Sequence, residues 1–414
     1  MDIFYRNDRG VRKREVAFVL LVAALFIVVM RDLLIFGRLI FTHDTIAYFG
    51  LMHYFYNSLM SGVFPYWDIY NYCGQPFYYN LGIARVFEVP TLVLAGVARC
   101  GDWSLLSLYH WDYCLKILLY VSGVYMALRQ LSTFTLSVWV GFFAFVFSSF
   151  TLASLRQPGL ITTFAWTPWA VWFLLRLRRE FSLFNMVGFS LFTGLLATSY
   201  QVGYSFTFLQ LLSISIAVSD RAWIAGICRD PRKLMLLGVG AVIVLALSLQ
   251  LVAVFIEKER STPVMRQGED SRQEQPYDTS VGGSPAAPGD TLGLFFLPLA
   301  MKAAGGWPVT FSEASLYIGI LPLLFALCGI FFSRHRYRLH FLFMLAALIF
   351  LSLNGRQLFG PFAVIIFPFL KYTRNMEIFQ PFILFTLVYF TAQGVDLALG
   401  WCERQAGGGG ADAG

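Results

Sequence analysis

Charge is scarce in this chain. Of its 414 residues only 13% are Asp, Glu, Lys or Arg, against 57% hydrophobic and 17% aromatic residues. A soluble domain carries about a quarter charged residues, so a soluble globular protein is excluded. The mean hydropathy of +0.64 points instead to a polytopic membrane protein. The motifs of soluble enzymes are missing as well. There is no G-x-x-x-x-G-K-[ST] loop, no G-x-G-x-x-G, no H-E-x-x-H and no G-x-S-x-G elbow, which removes the usual phosphate, dinucleotide, zinc-protease and hydrolase readings. The six cysteines include no C-x-x-C pair, so no zinc or redox site is expected. The apolar runs are nearly free of ionisable groups at mid-depth, which argues against an ion-driven transporter. The formal charge of +7 is no sign of nucleic-acid binding, because the basic residues sit in short clusters between apolar runs, as positive-inside topology predicts.

What is present is length enough for many crossings. A span needs about 20 apolar residues, and ten runs qualify: 16–37, 110–128, 134–153, 160–176, 182–198, 202–219, 234–256, 314–333, 339–353 and 380–400. The amino terminus reads RNDRGVRKRE before VAFVLLVAALFIVVM without a cleavage site, an uncleaved signal anchor. With that terminus in the cytoplasm and ten spans, every basic cluster falls on the cytoplasmic side, from Arg12–Lys13–Arg14 through Arg176–Arg178–Arg179 and Arg334–Arg336–Arg338 to Arg404. The run 86–98 is short and holds Glu88 and Pro90, so it reads as a re-entrant or interfacial helix, and 359–370 reads likewise. The expected organisation is therefore an all-α multi-span domain over residues 1–400, with outer loops 38–109, 257–313 and 354–379. A disordered cytoplasmic tail is expected over 401–414. Within the first loop, Ile46, Phe49, Met52, Phe55 and Leu59 recur at helical spacing, which predicts an amphipathic helix at the membrane surface. The stretch 257–290 has the composition of a mobile loop.

The order of a first apolar span, then FTHDTIAYF, then a long loop with FPYWDIYNYCGQPF resembles the YfhO-like family of bacterial membrane proteins, which belongs with the C-type (GT-C) integral-membrane glycosyltransferases. RQPGLITTFAWTPWAVWFLLRLRR is similar to the family's fourth span, and ATSYQVGY to a segment that carries a glutamine, here Gln201. EASLYIGILPLLFAL and RNMEIFQPFILFTLVYFTAQGVDL resemble its later spans. Many such enzymes have a paired acidic motif in the first outer loop, where this chain has His43–Asp44. The resemblance implies a GT-C-like helix arrangement in a bacterial inner membrane. It also implies a polyprenyl-phosphate-linked sugar donor and an acceptor that is a cell-envelope glycan, lipid or protein.

That chemistry needs a carboxylate to take the acceptor's proton and a cation to meet the phosphate charge as the glycosidic bond breaks. Asp44 is the candidate base, at the boundary where a lipid-linked donor presents its head group; its plain alternative is a helix cap. His43 would orient it. Arg374 is the candidate phosphate ligand, with Lys371 beside it, and is otherwise an interfacial anchor. Arg156, Gln157 and Gln201 are candidates for substrate contact, Arg156 and Gln157 equally for holding their loop. Glu88 sits in an apolar setting and either carries a raised pKa or snorkels to the surface. Glu313 binds an acceptor or caps the eighth span. No metal ligand set stands out, and use of a divalent cation is left open. Two other function classes stay in view: a transporter or flippase for a lipid-linked precursor, and a non-catalytic assembly factor on the same scaffold.

Overall fold

The computed structural model describes residues 9–36, 43–63, 67–68, 75–76, 88–148, 151–152, 158–199, 202–261, 318–352 and 379–408. These form α1 (Arg9–Val29), a single turn α2 (Arg31–Leu34), α3 (His43–Met60), α4 (Val89–Cys100), α5 (Leu105–Leu131), α6 (Thr135–Val146) and α7 (Pro158–Arg179). They continue with α8 (Leu183–Ala197), α9 (Val202–Ser219), α10 (Arg221–Cys228), α11 (Pro231–Ser261), α12 (Ile320–Phe332), α13 (Arg338–Ser352) and α14 (Gln380–Gly408). A two-residue antiparallel pair, Trp67–Asp68 with Gln75–Pro76, is the one strand contact among the described residues.

Helix starts follow local chemistry. Ser104, Ser182 and Asp220 each accept a backbone N–H three residues on, capping α5, α8 and α10, which satisfies one of the orphan donors at a helix start. Pro90 opens α4, where a missing N–H costs nothing. Between α4 and α5 the chain turns at Asp102, with φ +50, a left-handed conformation that Asp tolerates better than most residues.

The bundle is built around α14, whose residues from Gln380 to Ala392 are all buried and which packs against α6, α12 and α13. Its crossing with α12 is a backbone contact. A Cβ added at Gly394 would lie 1.9 Å from the Phe325 carbonyl oxygen, and one at Gly329 2.1 Å from that of Phe390. Small residues at such crossings let membrane helices approach where no hydrophobic effect drives them together. A second row runs α5–α7–α8–α11. At its edge α11 leaves Met235, Val242, Leu245 and Leu249 more than 60% exposed. An apolar helix exposed in this way is matched to lipid rather than water.

The protein is thus a helical membrane-embedded protein, and helices stand at each of the ten places where a crossing was expected. By length and composition, three of the described helices are long and apolar enough to cross: Leu105–Leu131, Pro231–Leu249 and Gln380–Gln405. A fourth is added if Gly203–Ser219 and Arg221–Cys228, bent by 93°, make one broken span. Others fall short: α6 has 12 residues, about 18 Å at 1.5 Å per residue, against a hydrocarbon core of about 30 Å. Two boundaries also differ from expectation. Helix α14 runs to Gly408 where a disordered tail was expected from 401, because Trp401–Ala406 contains no helix breaker and the Arg404 side chain bonds the Gly400 carbonyl. Helix α11 runs to Ser261, five residues into the segment read as a mobile loop; the rest of that segment lies outside the described residues.

Candidate functional site

The helix expected over 45–60 is α3, and its periodic face does not lie on lipid. Met52, Phe55 and Tyr56 are fully buried against Ala95 and Ala98 of α4 and Leu108 and Tyr109 of α5. Helices α3 and α4 therefore form a cap packed onto the first half of α5. Beneath this cap lies a buried polar cluster. Glu88, Thr91, Asp112 and Lys116 are each 0% exposed.

The Lys116 ammonium pairs with Glu88 Oε2, donates to Thr91 Oγ1 at 2.9 Å and lies 3.7 Å from Asp112 Oδ1. Thr91 Oγ1 is 2.7 Å from Asp112 Oδ1 and 3.2 Å from Glu88 Oε2. A hydroxyl has one proton, and the shorter contact assigns it to Asp112. Tyr56 Oη donates to Asp112 Oδ2 at 3.1 Å, and Trp166 Nε1 reaches Glu88 Oε1 at 3.4 Å. The Trp166 ring also faces the ammonium at 4.9 Å, a cation–π contact. Four elements meet here: α3 through Tyr56, the start of α4 through Glu88 and Thr91, α5 through Asp112 and Lys116, and α7 through Trp166. None of these side chains leaves a buried polar atom without a partner.

Lys116 stands between two carboxylates, the place a metal ion would take. Among the described residues no group of three His, Cys, Asp or Glu gathers that could hold a metal. The cluster does two things. It fastens α3 and α4 to α5 and α7, since taking away one partner of a buried ion pair costs about 3–5 kcal/mol. It also places titratable groups inside a membrane protein, where such groups are rare and tend to serve function. One turn further along α5, Tyr120 borders a narrow apolar cleft lined also by Phe145, Phe164, Val171, Phe208 and Phe385.

Of the residues singled out from sequence, Glu88 is in the cluster, ion-paired and with no route to the surface for snorkelling. The backbone puts His43 and Asp44 in the first turn of α3; their side chains, and residues Arg156, Gln157, Gln201, Glu313, Lys371 and Arg374, lie outside the described residues. Asp112 and Lys116 were missed, and they correct the expectation of spans without buried ionisable groups. The signal was there: DYCLK sets acid and base at i, i+4 in an otherwise apolar helix.

The places where the chain enters its helices are informative. His110, at the start of α5, lies 3.3 Å from the Leu34 carbonyl at the end of α2. Tyr204 near the start of α9 packs on Phe379 at the start of α14, with centroids 5.1 Å apart, and Phe164 near the start of α7 packs on Phe382 at 5.5 Å. The segments bearing His43–Asp44, Arg156–Gln157, Gln201 and Lys371–Arg374 therefore all join the described bundle at the end that carries the cap. No family model matches the chain, and no curated protein or solved structure matches it.

Proposed function

We propose that the protein is a membrane glycosyltransferase of the GT-C type. It moves a sugar from a polyprenyl-phosphate donor to an envelope glycan, lipid or protein acceptor at the outer face of a bacterial inner membrane. In this reading the ten apolar helices correspond to ten crossings with the amino terminus in the cytoplasm. The observation that carries the reading is the convergence just described: the segments holding the candidate base, its orienting histidine and the candidate phosphate ligands enter the bundle at one end. A base must be held still to act. Helix α3, which begins at His43, is fixed at its far end by Tyr56 and its buried neighbours.

Asp44 takes the proton of the acceptor hydroxyl as it attacks the anomeric carbon. His43 orients that carboxylate, and Arg374 with Lys371 meets the charge growing on the leaving phosphate. Arg156, Gln157, Gln201 and Glu313 contact donor or acceptor. Val89, Val93 and Val97 form an exposed apolar stripe along α4, a surface on which a prenyl chain can lie. The test supplies purified protein with labelled polyprenyl-phosphate sugars and follows transfer. Asp44→Asn keeps the size but cannot accept the proton, so turnover falls by about a hundredfold or more with donor binding retained. Arg374→Ala weakens both. Unchanged turnover in Asp44→Asn removes Asp44 as the base.

The Glu88–Lys116–Asp112 cluster favours a second reading, a proton-coupled transporter or flippase of a lipid-linked precursor, because buried acid–base groups in a bundle serve proton relays. It is separated from the first by reconstitution in liposomes. Translocation that needs a pH gradient and is lost in Asp112→Asn, without any sugar transfer, selects the transporter.

A further inference from the structure

Opposite the cap, the end of α7, the α9–α10 junction and the α12–α13 loop come together around Tyr337. Arg178 donates through Nε and Nη2 to Asp220 Oδ2 at 3.0 and 2.8 Å, and its guanidinium lies 4.8 Å from the Tyr337 ring. The guanidinium of Arg336 lies 4.7 Å from the same ring. His340, one turn on, meets Tyr337 edge to face at 5.7 Å. Tyr337 is 1% and His340 4% exposed. Even so, Tyr337 Oη, both ring nitrogens of His340 and Arg178 Nη1 are buried without any hydrogen-bond partner.

Buried polar groups are normally satisfied, and a set of them left open in one place calls for an explanation. These are chiefly donors: a phenol, an imidazole N–H and a guanidinium N–H. They sit in an excess of positive charge, because the single Asp220 carboxylate, ion-paired with Arg178, also faces Arg336. The same field is felt at His335, whose pKa is lowered to about 4 by burial and then by Arg336 and Arg179. A small group with several acceptor oxygens and negative charge fits donors of this kind, and arginine suits phosphate in particular.

We propose that Arg178, Arg336, Tyr337 and His340 form a binding site for a phosphate group, supplied either by an anionic lipid headgroup or by free phosphate. The site is independent of the transferase reading, because it lies at the other end of the bundle and uses none of those residues. Guanidinium groups hold the charge, and Tyr337 Oη and His340 donate to the remaining oxygens.

The experiment uses the full chain in phosphate-free detergent and follows its thermal midpoint. One arm titrates inorganic phosphate against chloride at equal ionic strength. The other compares mixed micelles of phosphatidylglycerol with phosphatidylcholine. A saturable rise of the midpoint in the first arm identifies free phosphate, and a rise only with phosphatidylglycerol identifies the headgroup. Tyr337→Phe keeps the ring and loses only Oη, and Arg336→Gln removes an exposed side chain. Each is expected to leave the ligand-free midpoint in place and to weaken apparent affinity about tenfold, the scale of one charge-assisted hydrogen bond. Equal shifts with chloride and with phosphatidylcholine, or affinities in both variants equal to the parent's, overturn the proposal.

Discussion

At one end of α5, Glu88, Thr91, Asp112 and Lys116 are wholly buried and all their polar atoms are answered by side chains of the same chain. The Arg179 side chain bonds the Gln130 carbonyl at the other end. That end lies about 21 Å from Lys116 at 1.5 Å per residue, and there Tyr337 and His340 are equally buried but leave their polar atoms open. Both ends combine basic and aromatic side chains, and both hold a cation over a ring. The difference lies in the count of acceptors. Two carboxylates surround one ammonium under the cap, whereas around Tyr337 one carboxylate, Asp220, faces both Arg178 and Arg336. A closed set of pairs is a fastening, while an open set of donors is a receptor.

The largest effect is expected where the closed end is forced open. Lys116→Met leaves Glu88 and Asp112 buried beside each other and should lower stability by about 3–5 kcal/mol, read as a lower thermal midpoint in detergent. Neutralising all three, with Glu88→Gln and Asp112→Asn added, should recover most of that loss, because no buried charge is then left alone. A Lys116→Met protein that melts with the parent would remove the distinction between the two ends.

Between the ends, Gly394→Ala places a methyl group against the Phe325 carbonyl. Separating α12 from α14 is expected to cost about 1–3 kcal/mol. Because that crossing underlies both ends, this variant should lower stability without favouring either. The sharper comparison is one substitution made twice. Tyr56→Phe takes a donor from Asp112 and is expected to cost about 1–3 kcal/mol. Tyr337→Phe removes a hydroxyl that has no partner and, without phosphate, should change stability by no more than about 0.5 kcal/mol. Equal losses would mean that the two ends are built alike.

The smallest effect concerns pH. His335 accepts from or donates to Tyr389 Oη at 3.0 Å, and burial with nearby Arg336 and Arg179 lowers its pKa from 6.5 to about 4. Between those values the unfolded chain holds the proton and the folded one does not, so stability is greatest above the unfolded value and falls as pH drops towards 4. A midpoint measured from pH 7 to 4.5 should fall more steeply in the parent than in His335→Gln. The group is only half-buried, so the difference will be small.

Much of the helical frame was legible. Long apolar runs mark α5, α11 and α14, the spacing of Met52, Phe55 and their neighbours marks α3, and Pro90 marks the start of α4. The site was legible in part. Glu88 stood out as a charge in an apolar setting, but its partner Lys116 is 28 positions away, Trp166 is 78 positions away, and Tyr56 is separated from Asp112 by 56 positions. No local pattern links residues so far apart. Asp112 and Lys116 lie in the first turns of the expected span 110–128, where charges usually meet water, so their spacing alone did not mark them as buried.

By itself the sequence determined that this chain is helical and belongs in a membrane. That follows from composition and from runs of apolar residues, since lipid requires backbone groups to be satisfied within each segment. Only the tertiary structure decided that α3 and α4 close over the start of α5, that Lys116 lies between two carboxylates, and that the opposite end keeps its donors open. Those outcomes depend on which distant side chains share a buried space. In a medium of low dielectric, that sharing decides whether a charge is held, answered or left available.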